Sequence, residues 1–218
     1  MKPSFKAVIF DMDGVITDTM PYHMRAWRKT FADQGIAVSD IDIYRREGQK
    51  GLESVREIFA QHGRVFSWAV AQKMLADKEV CFKKIVHKKY IPGVRALIRR
   101  LLRQGTRLAI VTGTSRHEME RLLPVAFRSH FEVVVTGSDV RRGKPDPEPY
   151  RKALKALGLK GSEAVVVENA PFGILSATRA GLRCYALATS LPSEYLVGAT
   201  CIFNGHRDLG DHLLAKGI

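Results

Sequence analysis

The 218-residue sequence has only three cysteines and two tryptophans. The cysteines, Cys81, Cys184 and Cys201, are odd in number, far apart and surrounded by apolar residues. Disulfide frameworks and cysteine metal sites need cysteines in pairs or clusters at short spacings. We therefore expect three buried free thiols.

Long apolar runs are also missing. The first six residues lack the apolar segment of a signal peptide, and no stretch approaches the roughly 18 apolar residues that a membrane span requires. The composition, with 45% hydrophobic and 26% charged residues, is ordinary for a globular protein. These features predict a cytoplasmic protein that does not enter a membrane.

Acidic residues are scarce beside basic ones, with 22 Asp and Glu against 35 Lys and Arg, which gives a formal charge of +13. The excess lies in both halves of the chain rather than in one basic arm. We find no RNA- or DNA-binding motif, and aromatic residues do not alternate with basic ones. The charge favours anionic ligands such as phosphorylated metabolites, and nucleic-acid binding is only a minor alternative.

The most distinctive stretch, Val8-Ile9-Phe10-Asp11-Met12-Asp13-Gly14, is an apolar run that stops at two carboxylates one residue apart. It predicts a buried strand that carries acids into a loop at its carboxyl end, where ligands of open α/β sheets bind. Such a pair can supply a nucleophile and a proton carrier. Asp and Gly are also ordinary turn residues, so these residues alone leave a surface turn open.

The longer run from Asp11 to Thr19 resembles the first motif of the haloacid dehalogenase superfamily of phosphotransferases, Asp-x-Asp-Gly-Val-x-x-Asp-Thr. The continuation through Pro21 to Trp27 looks like the β-phosphoglucomutase and phosphoglycolate phosphatase branch with a helical cap. The resemblance covers nearly all of the chain. It implies that Asp11 is the nucleophile and Asp13 the general acid and base, while Gly14 lies at the substrate.

The next seventy residues show helical periodicity. Apolar residues predict a first helix from Met20 to about Phe31 and a second near Leu52–Phe59. A longer third element spans Val70 to Val86, with a break near Asp77. In the resembled family such an insert is a cap that closes over the active site. We therefore expect an α/β fold with a Rossmann-like parallel sheet core at residues 1–16 and 92–218, helices on both faces of the sheet, and a helical cap domain at 17–91.

Strand and helix patterns alternate after Gly93, which implies βαβ units and a parallel sheet. The predicted strands are Arg107–Thr112, Glu132–Thr136, Ala164–Glu168, Arg183–Ala188 and a short one near Thr200–Phe203. Five helices are predicted. The first runs from Val94 to about Leu102, and the second follows the strand that ends at Thr112 and runs to about Leu123. The others span Pro147–Leu157, Pro171–Ala180 and Asp208–Lys216.

Three later motifs occur in the order that the family requires. Thr112, with Gly113 and Thr114, follows an apolar strand and opens a helix, where backbone N–H groups can hold a phosphate oxygen. Lys144 precedes Pro145 in a stiff loop and can act as a point charge on a phosphoryl group. By themselves these residues are as consistent with a helix N-cap and a solvated lysine. The resemblance implies catalytic roles for Thr112 and Lys144.

The fourth motif, Val165-Val166-Val167-Glu168-Asn169, departs from the family pattern, which has a second acid as a magnesium ligand where this chain has Asn169. An amide oxygen can still coordinate Mg²⁺, but one negative charge is lost. The resemblance implies a Mg²⁺ site at Asp11, Asp13, Glu168 and Asn169, and catalysis through an aspartyl-phosphate.

The cap should decide the substrate. His23, Trp27 and Lys78 match the β-phosphoglucomutase pattern, whereas Gly51 replaces a phosphate-holding arginine, which Lys50 beside it could only partly substitute. We expect a Mg²⁺-dependent phosphatase for a small phosphorylated metabolite, a monomer or weak homodimer. Two alternatives stay open: a sugar phosphomutase, and a catalytically weak relative that binds an anion or a partner.

Overall fold

A six-stranded parallel sheet forms the centre of the computed structural model, which describes residues 5–215. The strand order is β3-β2-β1-β4-β5-β6. The first strand lies between β2 and β4 and is buried on both faces, which explains why its sequence is an unbroken apolar run. The strands are β1 (Ala7–Phe10), β2 (Arg107–Val111), β3 (Val133–Val135), β4 (Ala164–Glu168), β5 (Arg183–Leu187) and β6 (Cys201–Phe203).

Helices cover both faces of this sheet. One face packs against α5 (Val94–Arg103), α6 (Arg116–Leu122), α7 (Val125–Arg128) and α10 (His206–Ala215). The other packs against α8 (Glu148–Leu157) and α9 (Pro171–Arg179). The α5 helix shows why the periodicity predicted it: Val94, Leu97, Ile98 and Leu101 lie on one face and are all buried. The predicted fold class is confirmed.

Four further helices lie between β1 and β2 in the chain. They are α1 (Met20–Ala32), α2 (Asp40–Tyr44), α3 (Gly51–Gln61) and α4 (Trp68–Ile85). They share an apolar cluster of their own, which includes Phe31, Ile58 and Met74. This segment meets the sheet region through two neighbouring connections, because Thr17 is bridged to Tyr90 and the backbone N–H of Ile91 donates to the carbonyl of Ile16.

Several predicted elements were wrong in detail. The α4 helix runs unbroken through Asp77, whose exposed carboxylate pairs with Lys73 one turn earlier. The short helices α2 and α7 were missed, since four or five residues carry too little periodicity. The last helix begins at His206 rather than Asp208, and its predicted end at Lys216 lies outside the described residues.

The cysteines are free, as predicted, but only Cys184 is buried, on β5, which lies between β4 and the edge strand β6. Cys81 and Cys201 are partly exposed because they lie on the rim of the apolar cluster, one on a half-exposed helix and the other on an edge strand. No helix within residues 5–215 is long and apolar enough to cross a membrane.

Candidate active site

The polar residues of the four motifs meet at the carboxyl edge of the sheet. Asp11 follows β1, Thr112 follows β2 and Glu168 ends β4, and these three strands are neighbours. Their side chains are 1 to 3% exposed. Because parallel strands all end at the same edge, residues that are far apart in the sequence come together in one buried cluster.

Lys144 holds two carboxylates of this cluster. Its ammonium lies 2.6 Å from Oδ1 of Asp11 and 2.6 Å from Oε1 of Glu168, and all three side chains are buried. Burial alone would lower the pKa of Lys144, but the negative charges of Asp11 and Glu168 outweigh it and raise this pKa. The lysine therefore keeps its positive charge beside Asp11.

At Asp11, the effect of burial on the pKa outweighs that of the neighbouring positive charge. Burial, followed by the charges of Glu168 and Asp13, raises the pKa of its carboxyl to about 8 in spite of the Lys144 ammonium. Its Oδ1 accepts the hydrogen bond from Lys144, and its buried Oδ2 has no partner among the described residues. A further positive charge beside Oδ2 would favour the ionised, nucleophilic form of this carboxyl.

Asp13 accepts hydrogen bonds at both oxygens. Oδ1 accepts one from the Thr19 hydroxyl at 2.5 Å and lies 3.3 Å from Nε2 of His23. Oδ2 accepts from the hydroxyls of Thr114 at 2.7 Å and Thr112 at 3.3 Å. Burial would raise the pKa of Asp13, but the hydrogen bonds from His23 and the threonines lower it to about 2. In this arrangement Asp13 is ionised and can accept a proton.

Lys78 reaches this cluster from α4 through His23. Its ammonium lies 2.9 Å from Nδ1 of His23, and His23 stacks on Phe82 with 4.1 Å between ring centroids. Burial and the Lys78 charge lower the pKa of His23. A neutral imidazole that accepts at Nδ1 must carry its proton on Nε2, where it can donate to Asp13.

A cavity of about 200 Å³ adjoins these groups, between α1, α4 and the β2–α6 loop. Five residues that the sequence indicated as substrate-binding line it: His23, Trp27, Lys78, Gly113 and Thr114. Gly14 lies elsewhere, with a positive φ of 80° and packed so closely on Asn169 that a Cβ would overlap the amide. Lys50 also lies outside the cavity, and its ammonium donates to the carbonyls of Val140 and Arg141 at 2.8 and 2.6 Å.

The loop before α3 rests directly on the strand-end loops. A Cβ at Gly113 would lie 2.8 Å from the carbonyl oxygen of Gly48, so only glycine allows this approach. The Lys144 side chain packs beneath Gly48, and Lys50 packs on Gly143. The structure therefore shows the helical segment closed over the strand ends.

Sequence reasoning missed three residues of this region. The Tyr150 hydroxyl donates to Oε1 of Glu168 at 2.8 Å, while Glu47 and Glu118 line the cavity. Tyr150 and Glu118 lie on helices that follow the recognised motifs, and Glu47 lies in the loop before α3. The sequence around each of these three residues contains no motif that indicates a functional role, because only the folding of the chain brings them to the site.

The oxygen atoms at the strand ends fit a Mg²⁺ ion only in part. Within residues 5–215, no group of three or more His, Cys, Asp or Glu side chains is arranged to hold a metal. Glu168 accepts from Lys144 and Tyr150 at one oxygen and from the N–H groups of Asn169 and Ala170 at the other, which leaves it little capacity to coordinate an ion. However, two buried oxygens lack partners, Oδ2 of Asp11 and Oδ1 of Asn169, and such oxygens suit Mg²⁺.

Comparisons with known proteins agree with this geometry. The sequence model described as haloacid dehalogenase-like hydrolase matches residues 5–181. Validoxylamine A 7'-phosphate phosphatase of Streptomyces hygroscopicus subsp. limoneus is 30% identical, over 89% of this chain and 91% of its own length. β-Phosphoglucomutase of Bacillus subtilis strain 168 is 29% identical, over 96% and 93%. The crystal structure of CbbY from Rhodobacter sphaeroides in complex with phosphate has 30% identity and a TM-score of 0.76, over 94% and 96%.

Proposed function

This chain belongs to the haloacid dehalogenase-like hydrolases, and we propose that it hydrolyses a small phosphorylated metabolite through an aspartyl-phosphate on Asp11. Its relatives are phosphatases and phosphomutases. The observation that carries the proposal is the buried arrangement of Asp11, with one oxygen on Lys144 and the other without a partner. A carboxylate held in this way has an oxygen available for attack on phosphorus.

In the first step, Oδ2 of Asp11 attacks the phosphorus atom and the ester oxygen leaves with the bonding electrons. Lys144 balances negative charge on the phosphoryl oxygens, while the Thr112 hydroxyl and the N–H groups that follow β2 donate to them. In the second step, water attacks the phosphorus of the aspartyl-phosphate, which restores the Asp11 carboxylate and releases inorganic phosphate. Asp13 takes the proton of that water.

Asp13 must carry a proton in the first step if it is to protonate the leaving oxygen. The hydrogen bonds that lower its pKa come from Thr19, Thr114 and His23, so a substrate that displaces Thr114 or His23 would raise this pKa. His23, held by Lys78, orients the Asp13 carboxyl toward the cavity side. We propose that Thr19, Thr114 and His23 determine whether Asp13 is protonated at each step of the reaction.

Enzymes of this family generally use Mg²⁺, and we propose the same here. Asp11, through the oxygen that does not attack phosphorus, the Asp13 carbonyl and Asn169 Oδ1 would hold the ion, with Glu168 acting through its hydrogen bonds to the loop. Bound there, Mg²⁺ would neutralise negative charge on the phosphoryl group and lower the pKa of Asp11. Because Asn169 is neutral, we expect weaker binding than at a site with another carboxylate.

We further propose that residues 17–91 act as a cap on a core formed by residues 1–16 and 92–218. The closed contact of Gly48 with Gly113 and the separate apolar cluster of the helical segment support this division. The two connections lie side by side at Thr17 and Tyr90, and Lys89 pairs with Asp18 at 2.9 Å. This is the geometry of a hinge about which the segment could open to admit substrate.

A phosphomutase is the second candidate, because the similarity to β-phosphoglucomutase spans nearly the whole chain. A mutase must hold a second phosphate while the first reacts. Among the described residues, Lys78 is the one lysine or arginine that lines the cavity, and it already donates to His23. The cavity charge therefore favours hydrolysis over phosphoryl transfer to a sugar phosphate.

The decisive experiment measures phosphate release from a panel of phosphomonoesters with Mg²⁺, for wild type and Asp11→Asn. We expect hydrolysis by wild type and a loss of at least about a thousandfold in the variant. Isomerisation of β-glucose 1-phosphate in the presence of glucose 1,6-bisphosphate would instead establish the mutase. Failure of both reactions in wild type, together with binding of inorganic phosphate, would contradict the proposal and favour an anion-binding protein.

A further inference from the structure

A second concave site lies on the surface of the helical segment, outside the phosphate cavity. It is a groove of about 720 Å³ between α3, the start of α4 and the loop that joins β3 to α8. The volume is in the range of small-molecule sites in proteins. Its lining includes Leu52, Arg56, Phe66, Trp68 and Arg141. None of these five takes part in the proposed reaction.

The apolar part of the groove offers an exposed aromatic ring. Trp68 is 58% exposed, and its indole meets the ring of Phe66 edge to face, with 6.1 Å between the ring centroids. Leu52 adds a third apolar side chain. Apolar side chains that cluster in a concave surface indicate a binding site, whereas single ones on a flat surface need no explanation. A planar ring can stack on the indole and cover it.

The polar part of the groove carries two unpaired positive charges. The side chains of Arg56 and Arg141 are exposed, and among the described residues their guanidinium groups have no hydrogen-bond or ion-pair partner. The other two charges, on Lys50 and Glu53, have opposite signs. The Lys50 charge opposes the rise that burial causes in the pKa of Glu53. A guanidinium group binds phosphate through parallel hydrogen bonds, so two of them suit two linked phosphates.

These features favour an occupant that combines a planar ring with adjacent negative charges. A second copy of this chain would bring a formal charge of +13 toward the two arginines, which opposes self-association here. A nucleic-acid strand needs a row of stacking side chains, whereas of the two tryptophans only Trp68 lines the groove and Trp27 lines the cavity. A nucleoside diphosphate has one ring and two linked phosphates, which match one indole and two guanidinium groups.

The position of the groove connects it to the active site. Gly51 lines the phosphate cavity and Leu52 lines the groove, so the start of α3 lies between the two. Arg56 belongs to the helical segment, whereas Arg141 belongs to the loop to which the Lys50 ammonium donates. A ligand that contacts both arginines would therefore add contacts across the closed interface.

We propose that the groove binds a free nucleoside diphosphate, whose base stacks on Trp68 and whose phosphates contact Arg56 and Arg141. Because these contacts join the helical segment to the sheet region, the bound nucleotide holds the closed form and slows the opening that turnover needs. The binding site goes beyond the proposed function, and only its effect on turnover rests on that function.

Binding is measured on the Asp11→Asn protein, which lacks the proposed nucleophile, with ADP as the probe. Adding Trp27→Phe leaves Trp68 as the only tryptophan, so quenching of the remaining fluorescence reports stacking in the groove. We expect saturable quenching by ADP, and at least about tenfold weaker binding of adenosine and of pyrophosphate, since each lacks one half of the ligand. No saturation at millimolar ADP, or binding of adenosine or pyrophosphate as tight as that of ADP, would overturn the proposal.

Calorimetry on further variants of the Asp11→Asn protein locates the site. Trp68→Leu should weaken ADP binding by roughly five- to a hundredfold, the range for the loss of one stacked base. Arg56→Gln and Arg141→Gln should each weaken it by about three- to tenfold, because each removes a charged donor to phosphate. All three side chains are exposed, so the urea unfolding curves of these variants should match that of the parent protein.

Val65→Ala and Arg103→Gln are the matched controls. Val65 is 90% exposed and lies three residues before Trp68 but does not line the groove, and Arg103 is exposed at the end of α5. Both variants should bind ADP as the parent protein does. An affinity for ADP that none of the groove variants changes would contradict the proposal. Tighter binding of a short oligoadenylate or of an acidic peptide with one phenylalanine, or self-association that depends on Trp68, would assign the groove to another partner and also overturn it.

Phosphate release at saturating substrate, by protein that retains Asp11, tests the effect on turnover. ADP should lower kcat by roughly fivefold or more, and Trp68→Leu should remove this inhibition. An unchanged kcat with ADP bound would refute the effect on turnover. Inhibition that persists in Trp68→Leu and disappears at saturating substrate would place ADP in the phosphate cavity and contradict the proposal. If wild type hydrolyses no ester but binds ADP through Trp68 and the two arginines, the binding site stands and the phosphatase assignment fails.

Discussion

The ammonium of Lys50 donates a 2.8 Å hydrogen bond to the carbonyl oxygen of Val140, ninety residues further along the chain. The same ammonium donates to Arg141, so one side chain of the helical segment is tied to the loop that leads to Lys144. Glycines at positions 48, 113 and 143 allow the backbones to approach closely around it. This lysine therefore ties the helical segment to the loop before Lys144 and does not line the cavity.

Lys50→Met should weaken the contact between the helical segment and the loop before Lys144. Two hydrogen bonds from a charged donor to partly exposed carbonyls stabilise the closed form by about 1 to 2 kcal/mol, so we expect amide hydrogen exchange over residues 46–51 to rise by roughly five- to thirtyfold. Lys73→Met, which removes an exposed lysine of α4, is the control. Unchanged exchange together with a large increase in KM would instead support direct contact of Lys50 with substrate.

Lys144→Met should destabilise the protein and inactivate it. The change leaves the buried carboxylates of Asp11 and Glu168 without their shared cation, and breaking such a buried ion pair costs about 3 to 5 kcal/mol. Urea denaturation measures this cost, and phosphate release should fall by at least about a hundredfold. The exposed Lys155, changed to Met, should alter the free energy of unfolding by less than about 0.5 kcal/mol.

Asn169→Asp should strengthen Mg²⁺ binding. It replaces a neutral buried oxygen that has no partner with a charged one, and Oδ2 of Asp11 is a second buried oxygen without a partner among the described residues. We expect calorimetry to show an affinity for Mg²⁺ about tenfold or more higher, and the free energy of unfolding without Mg²⁺ to fall, because another carboxylate joins the cluster. Asn204→Asp, on the exposed loop after β6, controls for added charge. Equal affinity in Asn169→Asp and wild type would show that this residue does not face the ion.

His206 makes stability depend on pH. Burial lowers the pKa of its imidazole to about 4, although the carbonyls of Pro92 and Val15 oppose that change. In the unfolded chain the pKa is near 6.5, so between these values the unfolded chain binds more protons. The contribution of His206 is therefore fully present above about pH 6.5 and is lost as the pH falls toward 4.

The measurement is the free energy of unfolding between pH 4 and 7 for wild type and His206→Gln. Wild type should lose up to about 3 kcal/mol more than the variant over this range, since each unit of pKa difference corresponds to about 1.4 kcal/mol. His130→Gln, at an exposed position, should follow the wild-type profile. Parallel profiles for wild type and His206→Gln would contradict the assignment.

The strands of the sheet could be predicted from sequence because each is a short apolar run that ends in polar residues or glycine, a local pattern. The Asp11–Asp13 motif, Thr112, Lys144 and the Glu168–Asn169 pair follow such runs, so their meeting at one edge of the sheet followed from the parallel topology. The α2 and α7 helices could not be found in this way, because helices of four or five residues carry almost no periodic signal.

What the sequence determined by itself was the fold, the family and the residues at the ends of the strands, since periodicity and turn chemistry are properties of neighbouring residues. Only the tertiary structure decided the rest. Lys144 lies between Asp11 and Glu168, and Glu168 accepts further hydrogen bonds from Tyr150 and the N–H groups of its own loop. Lys50 ties the helical segment to the loop before Lys144, and Glu47 and Glu118 line the cavity. These contacts join residues from different helices and loops, and such distances depend on packing, which no local pattern encodes.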